Sequence, residues 1–161
     1  MAIDLQPLAF ALMPAKETVL VVDDSAEIRR YLATVLELNA YRVETAESGE
    51  EACQRVREGC EPALVLLDLQ MSGMDGLATL RQLRELRPRL KVIMCSAVDD
   101  PDIVNAAAHL GAQGYLVKPI QHLYLSAAVE SCLREGRPPN QQDCDLQAGI
   151  FPIEQPAFRT N

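Results

Sequence analysis

A chain of 161 residues, 48% apolar and 24% charged, is long enough to close one hydrophobic core and too short for two ordinary domains. Its formal net charge of −8 argues against direct nucleic-acid binding, because an acidic surface repels phosphates. No apolar run approaches the roughly 18 residues of a membrane span, and the five cysteines (Cys53, Cys60, Cys95, Cys132, Cys144) form no CxxC pair, which suits reduced thiols in a cytoplasmic protein.

Residues 1–17 carry two prolines and no clear period, and read as an N-terminal arm, either loose or folded back as a short helix. The apolar stretch Leu8 to Met13 has no Lys or Arg before it, so no signal peptide is expected. Thr18 to Val22 is almost wholly Val and Leu and predicts a strand buried on both faces. Asp23 and Asp24 break that run, and Ser25 is a suitable N-cap for a helix carrying Ile28, Tyr31, Leu32, Val35, Leu36 and Leu38 as its apolar stripe. Asn39 stops it, and Tyr41 to Thr45 reads as a second strand.

Ser48 and Glu51 make a capping box for a second helix that ends at Gly59. Ala63 to Leu67 is a third strand, ending on Asp68. A loop with Ser72, Gly73 and Gly76 leads to a helix bearing Leu77, Leu80, Leu83 and Leu86, closed by Pro88. Leu90 to Cys95 is a fourth strand, ending on Ser96. Asp99, Asp100 and Pro101 open a fourth helix that runs to Gly111. Gln113 to Val117 is a fifth strand, and Lys118-Pro119 leads into a last helix through Leu123, Leu125, Ala128, Val129 and Leu133. Five strand–helix alternations predict an α/β fold with a parallel sheet covered on both faces. Residues 136–161, opening with Gly, Pro, Asn and Gln, read as a linker or disordered tail, and nothing in them resembles a DNA-reading module.

The polar anchors matter for function. Asp23, Asp24, Asp68, Ser96 and Lys118 each follow an apolar run, and a parallel sheet binds ligands at the carboxyl ends of its strands. Three converging carboxylates repel one another, and a hard divalent cation such as Mg²⁺ resolves the conflict. One Asp of the first pair would ligate directly and the other through water. Lys118 and Ser96 add a positive charge and a hydroxyl donor, which points to phosphoryl transfer with Asp68 as nucleophile. Taken singly each residue has a blander reading: Asp68 as a turn residue, Asp23 and Asp24 as helix-capping acids, Ser96 as a cap, Lys118 as surface charge. Their coincidence, in order, at four strand ends favours the joint reading.

On these residues the chain, from 18 to 134, resembles the receiver domain of two-component response regulators. The shared positions are Asp23-Asp24, Asp68 with the loop Leu69-Gln70-Met71-Ser72-Gly73-Met74-Asp75-Gly76, Ser96-Ala97, and Lys118-Pro119. The resemblance implies a flavodoxin-like (βα)5 fold over 18–135, with strand order 2-1-3-4-5. It also implies that Asp68 is the phosphoacceptor and that Asp23, Asp24, Asp68 and the Gln70 carbonyl hold Mg²⁺, with Mn²⁺ as a substitute. Ser96 and Tyr115 would be switch residues, and the Lys118–Pro119 peptide a candidate cis bond. Gln70 and Val98, two residues beyond Asp68 and Ser96, lie where such domains vary their dephosphorylation rate. Ser72 stands where the family usually has Pro, a departure expected to loosen the acceptor loop.

The implied partners are a sensor histidine kinase or phosphotransfer protein and a downstream effector or an output domain beyond this chain, with no membrane contact and with homodimerisation on phosphorylation as an option. No independent substrate turnover is expected. A haloacid-dehalogenase-like phosphatase uses a similar residue set, but it needs a second Asp two residues after its nucleophile, where this chain has Gln70. A flavin-binding module shares the topology, yet Asp23-Asp24 would repel the flavin phosphate.

Overall fold

Four of the five apolar runs alternate between two helical layers, so that no residue in their middles reaches solvent. The structure, a computed structural model, describes residues 17–135 and 150–152. In chain order the elements are β1 (Thr18–Val22), α1 (Ala26–Leu38), β2 (Arg42–Ala46), α2 (Gly49–Arg57), β3 (Leu64–Asp68), α3 (Gly76–Leu86), β4 (Lys91–Ser96), α4 (Pro101–His109), β5 (Gly114–Val117), α5 (His122–Glu135) and β6 (Ile150–Pro152). Parallel pairing sets the order β2-β1-β3-β4-β5, as expected.

The period of two along each strand divides the core. Leu20, Val22, Val65, Leu67, Val92, Met94 and Tyr115 face α2, α3 and α4, where they meet Ala52, Val56, Leu80, Leu83 and Ala107. Val19, Val21, Leu64, Leu66, Ile93, Cys95 and Leu116 face α1 and α5, against Leu32, Leu36, Leu125 and Val129. Burying a large aliphatic side chain contributes roughly 1.5–3 kcal/mol, so these two layers dominate the folded state's favourable terms. β2 is different. It lies at the sheet edge and alternates exposed with half-buried positions, exposing Arg42 and Glu44.

To the five parallel strands the described residues add β6, which pairs antiparallel with β5 in the register Tyr115↔Phe151. It falls within the stretch read as linker or tail. Pro152 lies on an outer strand, where a residue lacking an N–H is tolerated. The arm at 1–16 and the remainder of 136–161, Cys144 included, lie outside the described residues.

Helix starts follow their caps. Ser25 Oγ accepts from Ile28 N–H, Asp75 Oδ1 from Ala78 N–H, and Asp100 Oδ1 from Asp102 N–H. Ser48 Oγ accepts from Glu51 N–H (3.1 Å), but the Glu51 carboxylate turns to the Glu47 N–H (2.9 Å), one residue before the expected partner. Cys53, Cys95 and Cys132 are buried and Cys60 half-buried, all as free thiols. Burial pushes Cys95 up to about 12, and Cys60 and Cys132 up to about 11, so these thiols stay protonated at neutral pH.

Candidate functional site

Parallel strands that end in step bring their last residues to one edge, and here β1, β3, β4 and β5 deliver Asp23, Asp24, Asp68, Ser96 and Lys118 together. Asp68 pairs with Cys95 in the ladder, and Ser96 with Val117, so acceptor, hydroxyl and lysine stand on neighbouring strands. Carboxylate oxygens of Asp23, Asp24 and Asp68 lie within 4.8 Å of one another. Asp23 and Asp68 are buried, at 1% and 4% exposure, and Asp24 is exposed.

Lys118 spans two of the three acids. Its Nζ lies 2.8 Å from Asp23 Oδ2 and 3.1 Å from Asp68 Oδ1. Asp23 Oδ1 also accepts from Ser25 N–H (2.8 Å), and Asp68 Oδ1 from Gln70 N–H (3.2 Å). Both Asp68 contacts fall on Oδ1, and no described residue donates to Oδ2. Burial pushes the Asp68 carboxyl above its usual range, and the Asp23 charge adds to this; Lys118 and the Gln70 N–H oppose the shift without reversing it. For Lys118 burial favours the neutral amine, but the bond to Asp23 and the charges of Asp68 and Asp23 outweigh it and raise its pKa. The site therefore carries an excess of buried negative charge that one lysine offsets in part. Three hard oxygen donors at this spacing fit Mg²⁺.

Ser96 is fully buried, and its Oγ accepts from Val98 N–H (3.0 Å). Tyr115 is also fully buried, and its Oη donates to Val98 C=O (2.7 Å). One peptide segment, through Val98, thus joins the hydroxyl at the site to the aromatic on β5. The Lys118–Pro119 peptide bond is cis. His109 and His122 lie exposed on α4 and α5.

Three contacts at the site were not foreseen from sequence. Arg29 Nη1 donates to the Asp23 carbonyl (2.6 Å), which ties α1 to the end of β1. Glu50 Oε1 accepts from Met74 N–H (3.0 Å), which anchors the loop after the acceptor to α2. Ser72 donates to Asp24 Oδ2 through both its N–H (3.2 Å) and its hydroxyl (3.4 Å). The expectation that Ser72 loosens this loop is therefore corrected: a residue with an N–H and a hydroxyl ties the loop to Asp24, which proline cannot do. The departure from Pro at this position is the sequence signal for the contact.

Gly76 opens α3 directly beneath the acceptor. A Cβ there would come within 2.4 Å of the Asp68 carbonyl oxygen and 2.6 Å of Leu69 Cα, both main-chain atoms that cannot turn aside. Helix propensity alone would favour Gly76→Ala by up to about 1 kcal/mol. We expect a net loss of about 2–3 kcal/mol instead, from the forced shift of a packed backbone. Urea unfolding decides by sign, since a more stable variant would refute the close approach.

The family model described as "Response regulator receiver domain" matches residues 19–130. The chain is 40% identical over 119 residues to a probable transcriptional regulator ycf27 of Porphyridium aerugineum, covering 74% of this chain and 49% of that protein. It is 35% identical over 104 residues to the chemotaxis protein CheY of Bacillus subtilis, covering 64% of this chain and 86% of the relative. Among solved structures, the CheX-CheY-BeF3-Mg+2 complex from Borrelia burgdorferi superposes with a TM-score of 0.69 at 29% identity, over 73% of this chain and 89% of that one. The chain spans about half the length of the ycf27 relatives that it matches.

Proposed function

Because the chain belongs to the response regulator receiver domain family, we propose that Asp68 is its phosphoacceptor and that aspartyl phosphate formation switches its protein contacts. The observation that carries this is the buried Asp68, with Oδ1 fixed by Lys118 and Gln70 and Oδ2 left without a donor among the described residues. A phosphohistidine on a partner kinase or phosphotransfer protein is the donor. Asp68 Oδ2 attacks phosphorus in line, the P–O bond forms as the P–N bond breaks, and the electron pair leaves on the imidazole nitrogen.

Asp24 and Asp68 with the Gln70 carbonyl, and Asp23 through water, are the residues that would hold Mg²⁺. Bound there, the ion supplies positive charge against the phosphoryl oxygens. Lys118 supplies the rest, already held at the acceptor by two carboxylates. A phosphorylated Asp68 needs a further donor, and the Ser96 hydroxyl, at the end of the adjacent strand, is the candidate. Turning Ser96 Oγ toward the phosphoryl group removes the acceptor of Val98 N–H, and Val98 C=O is the partner of Tyr115 Oη. The change thereby reaches the face built from α4, β5 and α5 as a population shift.

The donor must cover the site from outside. A groove of about 770 Å³ lined by Ile28, Tyr31, Leu32, Pro119 and Ile120 adjoins Lys118, and its apolar walls suit a partner helix. The output is contact with an effector, either a separate protein or a domain beyond this chain. This signalling role needs no turnover of an independent substrate. No helix among the described residues is long and apolar enough to cross a membrane, and a cytoplasmic setting matches the donor chemistry. The phosphatase alternative gains nothing, since Gln70 offers no acid.

The decisive test is incubation with Mg²⁺ and acetyl phosphate, read by intact mass and by peptide mapping after borohydride reduction. One phosphoryl group per chain, dependent on Mg²⁺ and localised to Asp68, is the expected result. No uptake, or label on another residue, would overturn the assignment.

A further inference from the structure

Of the three acids, only Asp24 is exposed, and it is the one Lys118 does not hold. Asp23 is fixed at both oxygens and Asp68 at one, by contacts from Ser25, Lys118 and Gln70. Among the described residues, the side-chain contacts of Asp24 are those with Ser72, from a loop 48 residues away in sequence, and both fall on Oδ2. An exposed aspartate otherwise samples several rotamers, and confining it has an entropic cost whenever a ligand requires one of them. A donor pair on one carboxylate oxygen meets that cost in advance and leaves Oδ1 for another partner. Residues that orient a metal ligand in this way typically change metal affinity by about 10- to 100-fold when altered.

We propose that Ser72 is a positioning residue for the divalent cation, holding Asp24 through its main-chain N–H and its hydroxyl in the orientation that the ion requires. The proposal rests on the receiver reading of the site. It adds to that reading a device absent wherever proline occupies this position, because proline has neither donor. The main-chain N–H makes the shorter contact, so the two donors can be separated by substitution. Ser72→Ala removes only the hydroxyl, and Ser72→Pro removes both.

The test uses the full chain. Mn²⁺ affinity is measured by calorimetry, and the rate of phosphorylation by acetyl phosphate is followed as a function of Mg²⁺ concentration. Ser72→Pro should weaken Mn²⁺ binding about tenfold and raise the Mg²⁺ concentration for half-maximal rate by a similar factor, with the rate at saturating Mg²⁺ preserved. Ser72→Ala should lose only about twofold, since the stronger donor remains. A general distortion of the loop would instead lower the saturated rate, and that outcome overturns the proposal. So does unchanged or tighter Mn²⁺ binding in both variants while wild type binds and is phosphorylated; the receiver reading then survives. Wild type that binds no Mn²⁺ and takes no phosphoryl group overturns both. Should the proline variant fail to fold, the alanine variant decides alone, with unchanged affinity counting against Ser72.

Discussion

Asp68→Asn should take up no phosphoryl group from acetyl phosphate and, in EDTA, should be more stable than wild type. The first effect follows from the nucleophile: an amide oxygen or nitrogen in that place forms no acyl phosphate. The second follows from burial. Holding the Asp68 carboxylate ionised carries a cost that desolvation and the Asp23 charge impose, and its pKa is raised accordingly. A group with a raised carboxyl pKa destabilises the fold above that pKa and ceases to do so once protonated. The advantage of Asn is therefore full above the raised Asp68 pKa and fades on acidification through it toward the ordinary carboxylate range. Chemical denaturation at several pH values checks it, and a variant less stable than wild type at neutral pH would show that Asp68 is a net stabiliser.

Lys118→Ala is the complementary change and has the opposite sign. Removing it leaves Asp23 and Asp68, both almost fully buried, without their shared cation. Breaking a buried pair from one side costs about 3–5 kcal/mol, and the partial exposure of Lys118 places this case near 3 kcal/mol. The loss should shrink in an Asp68→Asn background, where one uncompensated charge is gone, and should shrink again as Mg²⁺ is added, because a bound ion stabilises the folded state by mass action. Phosphorylation at saturating Mg²⁺ should slow by about 10²-fold, the usual cost of losing one group that stabilises transition-state charge. Equal destabilisation in both backgrounds would mean that Lys118 acts through packing of its stem and not through its charge.

Much of this is legible in the sequence, and for one physical reason. Helices on both faces demand strands apolar throughout, so β1, β3 and β4 announce themselves as Val- and Leu-rich runs, and the first polar residue after each run marks the sheet edge. Boundaries moved by about one residue, because apolarity reports burial whereas the ladder continues to Asp68 and Ser96. The contacts that hold the site's loops were not legible. Ser72 with Asp24, Glu50 with Met74 and Arg29 with the Asp23 carbonyl depend on how separate loops approach in space, and no periodicity encodes that. Nor was β6, whose three residues acquire strand character only by pairing with β5.

That pairing leaves the sheet with two unlike margins. β2 presents Arg42 and Glu44 along its open side, charges that discourage another chain from adding a strand there. β5 is Gly-Tyr-Leu-Val, with no charge of its own, and β6 occupies its hydrogen-bonding side. A chain cut before Ile150 would display an uncharged, unpaired strand, the kind of template on which foreign strands assemble. Solubility and self-association of this protein are thus expected to depend on three residues that pair beside Tyr115, and a shortened version would carry that liability while keeping every acid of the site.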